Sequence, residues 1–231
     1  MDKVKKSSSA KLFWIVILGI ILYVVLDVIA QLLPPHYSPI SQAESDLAVG
    51  KFGLIMTINF INRGLLSLLF IFAFLRTVDD AGVARSKFQA GTYLLGAWAV
   101  GALLLAIFPT DVPATPVSWH GAIHLVVAII AFIGGAFGAL AISQKIGQNR
   151  EFEGLKRIAL SLATIVVLLW VVEFALPFIF PHINARVGGL TERLFLGSTL
   201  LWIGVVSAYL ATNMRTDKAL SNVEKHGVLG R

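Results

Sequence analysis

The chain has 231 residues, 57% of them hydrophobic and only 14% charged, and a mean hydropathy of +0.81; that excludes an ordinary soluble globular protein. It has no cysteine, which excludes disulfides, thiolate metal sites, iron–sulfur clusters and thiol nucleophiles. The net charge of +6 has no soluble segment long enough to form a basic face, so a nucleic-acid partner is not expected.

The apolar residues gather into six runs near 12–33, 52–75, 89–108, 119–142, 158–180 and 194–213, each about 20 residues or more, the length that crosses a hydrocarbon core. They lack the alternation of barrel strands, and only helices satisfy their own backbone in lipid. The expected fold is all-α, a six-helix transmembrane bundle. The first run follows a basic stretch but is too long, and lacks the cleavage pattern, for a signal peptide. The domain reading is a basic N-terminus over 1–11, one membrane domain over 12–213 and a polar tail over 214–231.

All basic residues except Lys51, Arg63, Arg186 and Arg193 fall on one side if the termini share a compartment. The positive-inside rule then puts both termini in the cytoplasm of a cell membrane. The net positive charge is therefore read as a topology signal.

A charge inside a span is costly and marks a functional candidate. Taking the spans in order, Asp27 lies in the first, Arg63 in the second, His120 and His124 at the start of the fourth, and Glu173 in the fifth. At 1.5 Å rise per residue Asp27, His124 and Glu173 come to about 8 to 10 Å below the outer boundary, and Arg63 to about 16 Å. The outer connections add His36, Tyr37, Ser41, Glu44, Ser45, Asp46, Asp111, His182, Arg186, Glu192 and Arg193. The inner halves offer only uncharged polar groups. This one-sided polarity predicts a pocket open to the extracytoplasmic face or the outer leaflet and closed below by an apolar plug. Arg63 with Asp27 or Glu173 is equally well a buried pair that sets helix register. Gly134 and Gly138 predict a helix-packing face, and Pro177 predicts a kink beside Glu173.

His120 and His124 are four apart, so both imidazoles leave one helix face about a turn apart, a metal-ligand spacing. Thr115 and Pro116 read as the N-cap and first position of that helix. His120, His124 and a carboxylate from Asp46, Asp111 or Glu192, with a water, would form a catalytic centre for a divalent metal such as zinc. In that reading Asp111, Ser45 and Glu192 are the catalytic candidates, while Arg63, Arg193, Asp27 and Glu173 bind substrate, a lipid or amphiphile. The alternatives are non-enzymatic binding or transport of a lipid or small solute in the same pocket, a structural or assembly role, and two histidines that simply hydrogen-bond near an interface.

Tyr37-Ser38-Pro39-Ile40-Ser41 with Ser45-Asp46-Leu47, Phe108-Pro109-Thr110-Asp111, His120-Gly121 with His124, and Gly189-Leu190 with Glu192-Arg193 resemble the domain-of-unknown-function family 998 of six-span prokaryotic membrane proteins. The resemblance covers nearly the whole chain, from which the basic N-terminus and polar tail depart. It implies the architecture and the choice of site residues, and no reaction. A looser likeness, in residue inventory alone, is to membrane hydrolases of the alkaline ceramidase type, which gather Ser, Asp and His around zinc.

Overall fold

A computed structural model describes residues 2–112 and 115–227. Residues 1 and 228–231, the extremities of the two polar terminal segments, lie outside the described residues. The described chain forms six long helices: α1 (Asp2–Leu32), α2 (Gly53–Asp80), α3 (Gln89–Ile107), α4 (Trp119–Ile146), α5 (Glu153–Ile179) and α6 (Pro181–Gly227). All six contain a stretch long and apolar enough to cross a membrane. The protein is an all-helical, multi-pass integral membrane protein. The six helices alternate in direction, so the start of α1 and the end of α6 lie at one end of the bundle, while the 33–52 connection, residues 108–112 and 115–118, and Phe180 lie at the other.

Each helix packs on its chain neighbours, and α1 closes on α6, so the six form a ring. Its terminal half is filled by aromatic side chains. Phe70 stacks on Phe74 and meets Trp202 and Phe13 edge-on, and Phe74 continues to Phe88 and Phe152. Such edge-to-face pairs add to plain area burial. The two fully buried indoles find hydroxyl partners: Trp98 donates to Ser67 at 3.1 Å and Trp202 to Ser143 at 2.9 Å. Gly134 and Gly138 let α4 lie directly on the α3 backbone, since a Cβ at either would strike main-chain atoms of residues 91–98. That is the small-residue packing expected of this pair.

α6 starts earlier than the apolar run suggests, at Pro181 in place of 194. His182, Arg186, Glu192 and Arg193 are therefore helical, and not part of an outer connection. The stretch Pro181–Asn213 has 33 residues, about 50 Å of helix, longer than a bilayer core. Its polar first part is stabilised by the 33–52 connection folding back against it, where the Leu190 amide donates to Ile40 at 2.9 Å. The helix also continues past Asn213 to Gly227. α5 runs through Pro177 to Ile179 without breaking.

Candidate functional site

Two polar constellations lie at the connection end. The first joins α1, the 33–52 connection and α6. Arg193 is its organiser: one terminal nitrogen donates to the carbonyls of Pro39 (3.0 Å), Gln42 (3.0 Å) and Gly189 (3.1 Å), and the other to the Tyr37 phenol at 2.5 Å. Tyr37 in turn donates to Ala43 at 2.8 Å, and burial raises its pKa above the usual phenol range. The connection approaches so closely that a Cβ at Gly189 would overlap the Gln42 carbonyl. Gly189 is thus needed for its missing side chain.

This clasp presses the short 3-10 helix Glu44–Ala48 into the bundle. Glu44 is 1% exposed. Its Oε1 accepts from the Tyr23 hydroxyl, and its backbone amide donates to Glu192 Oε2 at 2.8 Å. Burial first, and the Asp27 charge second, push the Glu44 carboxyl up to about 7, against the opposing influence of Arg63. Asp27 accepts from Gln31 at 2.5 Å through Oδ2, while its Oδ1 has no hydrogen-bond partner. Ser45 and Asp46 sit partly buried beside Glu44, and burial raises the Asp46 carboxyl as well.

A cleft of about 280 Å³ runs from this cluster along the groove between α1 and α6. Tyr23, Asp27, Glu44 and Arg193 form its polar end; Ile20, Val24, Leu196, Gly197, Leu200 and Leu201 form its apolar walls. Val24 and Leu201 are each 53% exposed, so the cleft opens on the outer flank of the bundle. Of the two openings expected from the one-sided polarity, to the outer face or to the outer leaflet, the cleft has the lateral kind.

Arg63 is 1% exposed yet pairs with neither Asp27 nor Glu173, so the buried-pair reading of it is not met. Its guanidinium lies over the Trp98 ring at 4.8 Å and the Phe60 ring at 5.2 Å, cation–π contacts that partly replace its water. Its Nε has no partner, and neither has Oδ1 of Asn59 one turn before it. Glu173 instead accepts from Thr191 at 2.5 Å, tying α5 to α6.

The second constellation is the α3–α4 corner. Asp111 accepts from the Ser118 amide at 2.9 Å and its hydroxyl at 2.5 Å, and the Ser118 hydroxyl accepts from the Gly121 amide at 3.1 Å. Ser118, and not Thr115, is the N-cap of α4. These hydrogen bonds to Ser118 hold the Asp111 carboxyl below its ordinary value. A Cβ at Gly121 would collide with that carboxylate. His124 is bound through Nδ1 to the Phe108 carbonyl at 2.8 Å, and His120 packs on Trp119 with ring centroids 3.5 Å apart.

The expected metal centre is not assembled. Among the described residues no group of three or more His, Asp or Glu side chains is arranged to hold an ion. Asp46 and Glu192 belong to the first constellation, His120, His124 and Asp111 to the second. Of the candidates for catalysis, Ser45 and Glu192 therefore lie near Glu44, and Asp111 serves as the partner of a helix cap. Of those for substrate binding, Asp27 and Arg193 meet at the cleft, while Arg63 and Glu173 do not line it. Tyr23 is not among the residues the sequence points to, and Glu44 stands there only as one polar residue of the outer connection, without a role. The available signal was Tyr23 one turn before Asp27 on the same face of α1.

The family described as Protein of unknown function (DUF998) matches residues 17–209. The chain belongs to that family. No curated protein matches it, and no solved structure does. The motifs that carried the resemblance divide between the two constellations of this DUF998 protein: Tyr37 to Asp46 with Gly189 to Arg193 in the clasp, Asp111 to His124 in the corner.

Proposed function

We propose that this DUF998 protein binds a membrane lipid or lipid-like amphiphile in the α1/α6 cleft, without hydrolysing it. The observation that carries the reading is the cleft's division into apolar walls and a polar end of Tyr23, Asp27, Glu44 and Arg193. A ligand half apolar and half polar matches both parts, and the lateral opening gives it a route from the bilayer. Binding is favoured over hydrolysis because His124 is committed to the Phe108 carbonyl and His120 packs on Trp119, both at the α3–α4 corner and away from the cleft. The distribution of basic residues supports cytoplasmic termini in the cell membrane, with the cleft's polar end in the extracytoplasmic half. In the absence of native cysteine, single cysteines at Ser41 and Gln148 test this, being labelled from outside and inside respectively.

Gly197 supplies the test of binding. It lines the cleft, and a Cβ added there meets nothing within 4 Å, so Gly197→Phe starts from open space and puts its ring where the cleft is, with thermal unfolding reporting that the variant is folded. Native mass spectrometry of protein extracted in mild detergent is expected to show co-purified lipid on the wild type and several-fold less on Gly197→Phe. Equal retention by both would overturn the reading.

A further inference from the structure

The polar end of the cleft is chemically selective, and its free valences define the selection. A chain leaving the bilayer for an apolar cleft gains little hydrophobic energy, because lipid tails are as apolar as the walls. Retention must therefore come from the headgroup. At the polar end Arg193 has committed both terminal nitrogens to loop carbonyls and to Tyr37, and its Nε alone has no partner. The acceptors are less committed. Glu44, 1% exposed and lining the cleft, is bonded to Tyr23 through Oε1 only. Asp27 is bonded to Gln31 through Oδ2 only, with Oδ1 unpartnered. Among the described residues neither carboxyl has a cation within 4.0 Å; an ion pair of that kind joins Arg85 and Asp79, at the opposite end. Two carboxyl groups of the cleft thus have an oxygen without a donor, and one guanidinium N–H has no acceptor.

Resting on the binding reading above, we propose that the cleft selects a zwitterionic membrane lipid with a primary ammonium headgroup, of the phosphatidylethanolamine kind. Asp27 and Glu44 accept the ammonium N–H groups, and Arg193 Nε faces the phosphate. Charged hydrogen bonds of this kind are about twice as strong as neutral ones. A choline headgroup has the same charges but no N–H to donate. A glycerol headgroup keeps the phosphate and loses the cation. The three headgroups therefore separate hydrogen bonding from charge.

The experiment uses the full chain in nanodiscs made from phosphatidylethanolamine, phosphatidylcholine and phosphatidylglycerol with identical acyl chains, with lipid retained on extraction counted by native mass spectrometry. Phosphatidylethanolamine is expected to be enriched about tenfold over each of the others. Measured at pH 8, where the Glu44 carboxyl has given up its proton, Asp27→Asn and Glu44→Gln, which keep shape and remove the acceptor charge, are each expected to abolish the enrichment while leaving chain-dependent binding. Thermal unfolding of each variant reports that it is folded. Equal retention of the three lipids, preference for phosphatidylglycerol or phosphatidylcholine, or an enrichment that survives both substitutions overturns the headgroup assignment. Gly197→Phe separates the two levels. If it removes bound lipid while no headgroup preference exists, only the assignment fails; if it removes none, the cleft itself is not the site.

Discussion

The clasp around Arg193 and the corner around Asp111 are built from similar residue types at the same end of the bundle, yet their hydrogen bonds close differently. At the corner the Asp111 carboxylate spends both oxygens on Ser118, Ser118 caps α4, and His124 ends on a backbone carbonyl. The carboxylate, the cap hydroxyl and His124 are thereby used in turning the chain from α3 to α4, and the atom left over, Nδ1 of His120, lines no part of the cleft. In the clasp Arg193 likewise spends its terminal nitrogens on architecture, but Asp27 at the same cleft retains a carboxyl oxygen without a partner, and the Arg193 Nε has none either. The comparison teaches that a ligand site is marked by what polar groups have left over after folding, more than by residue types such as a histidine pair.

Substitutions that break the clasp are expected to have the largest effects. Arg193→Ala leaves the Pro39, Gln42 and Gly189 carbonyls without their donor and releases the 33–52 connection. A loss of about 3 kcal/mol is expected, read as lowered thermal stability in detergent together with new protease cleavage between residues 33 and 52. Gly189→Ala sets a methyl group against the Gln42 carbonyl, and about 2 kcal/mol is expected by the same scan. Both changes also release bound lipid.

Glu44 sharpens the comparison through pH. Its carboxyl is raised to about 7 in the folded protein, chiefly by burial, so the folded state holds a proton that the unfolded chain gives up. Stability is then greatest in mild acid and falls as pH rises through the interval between the ordinary glutamate value and about 7. The groups around it are Tyr23 and Asp27 from α1, Arg63 from α2, and Glu192 and Arg193 from α6. A loss of about 3 kcal/mol is expected across that interval. Glu44→Gln flattens the dependence; an unchanged slope would mean that Glu44 is not the titrating group.

At the corner the effects are smaller and lipid retention does not follow them. Ser118→Ala removes the α4 cap and is expected to cost about 1 kcal/mol in thermal scans. His120→Ala is expected to stay within about 0.5 kcal/mol, because the ring lies against Trp119 and its Nδ1 has no hydrogen-bond partner. Loss of bound lipid in either variant, with the fold intact, would erase the distinction between the two constellations.

The bundle was legible because uninterrupted apolar runs near 20 residues have one solution in lipid. The start of α6 was not, since residues 181–193 are polar and their helix is secured by the 33–52 connection, a contact distant in sequence. Asp27, Glu192 and Arg193 announce themselves as charges near or within spans. Glu44 does not, because in sequence it is one of several polar residues in a connection and only the fold makes it 1% exposed. The histidine pair suggested a metal through its spacing. Spacing carries no information about the Phe108 carbonyl that occupies His124.

Occupancy of the cleft is tested most directly by photocrosslinking. A phospholipid carrying a photoreactive group in its acyl chain, reconstituted with the protein and mapped by peptide mass spectrometry, should label residues 20–24 of α1 and 196–201 of α6 above all other positions. Gly197→Phe should suppress that labelling alone. Labelling spread evenly over the exposed faces of α2, α4 and α5, and unaltered by Gly197→Phe, would contradict a lipid-binding cleft between α1 and α6.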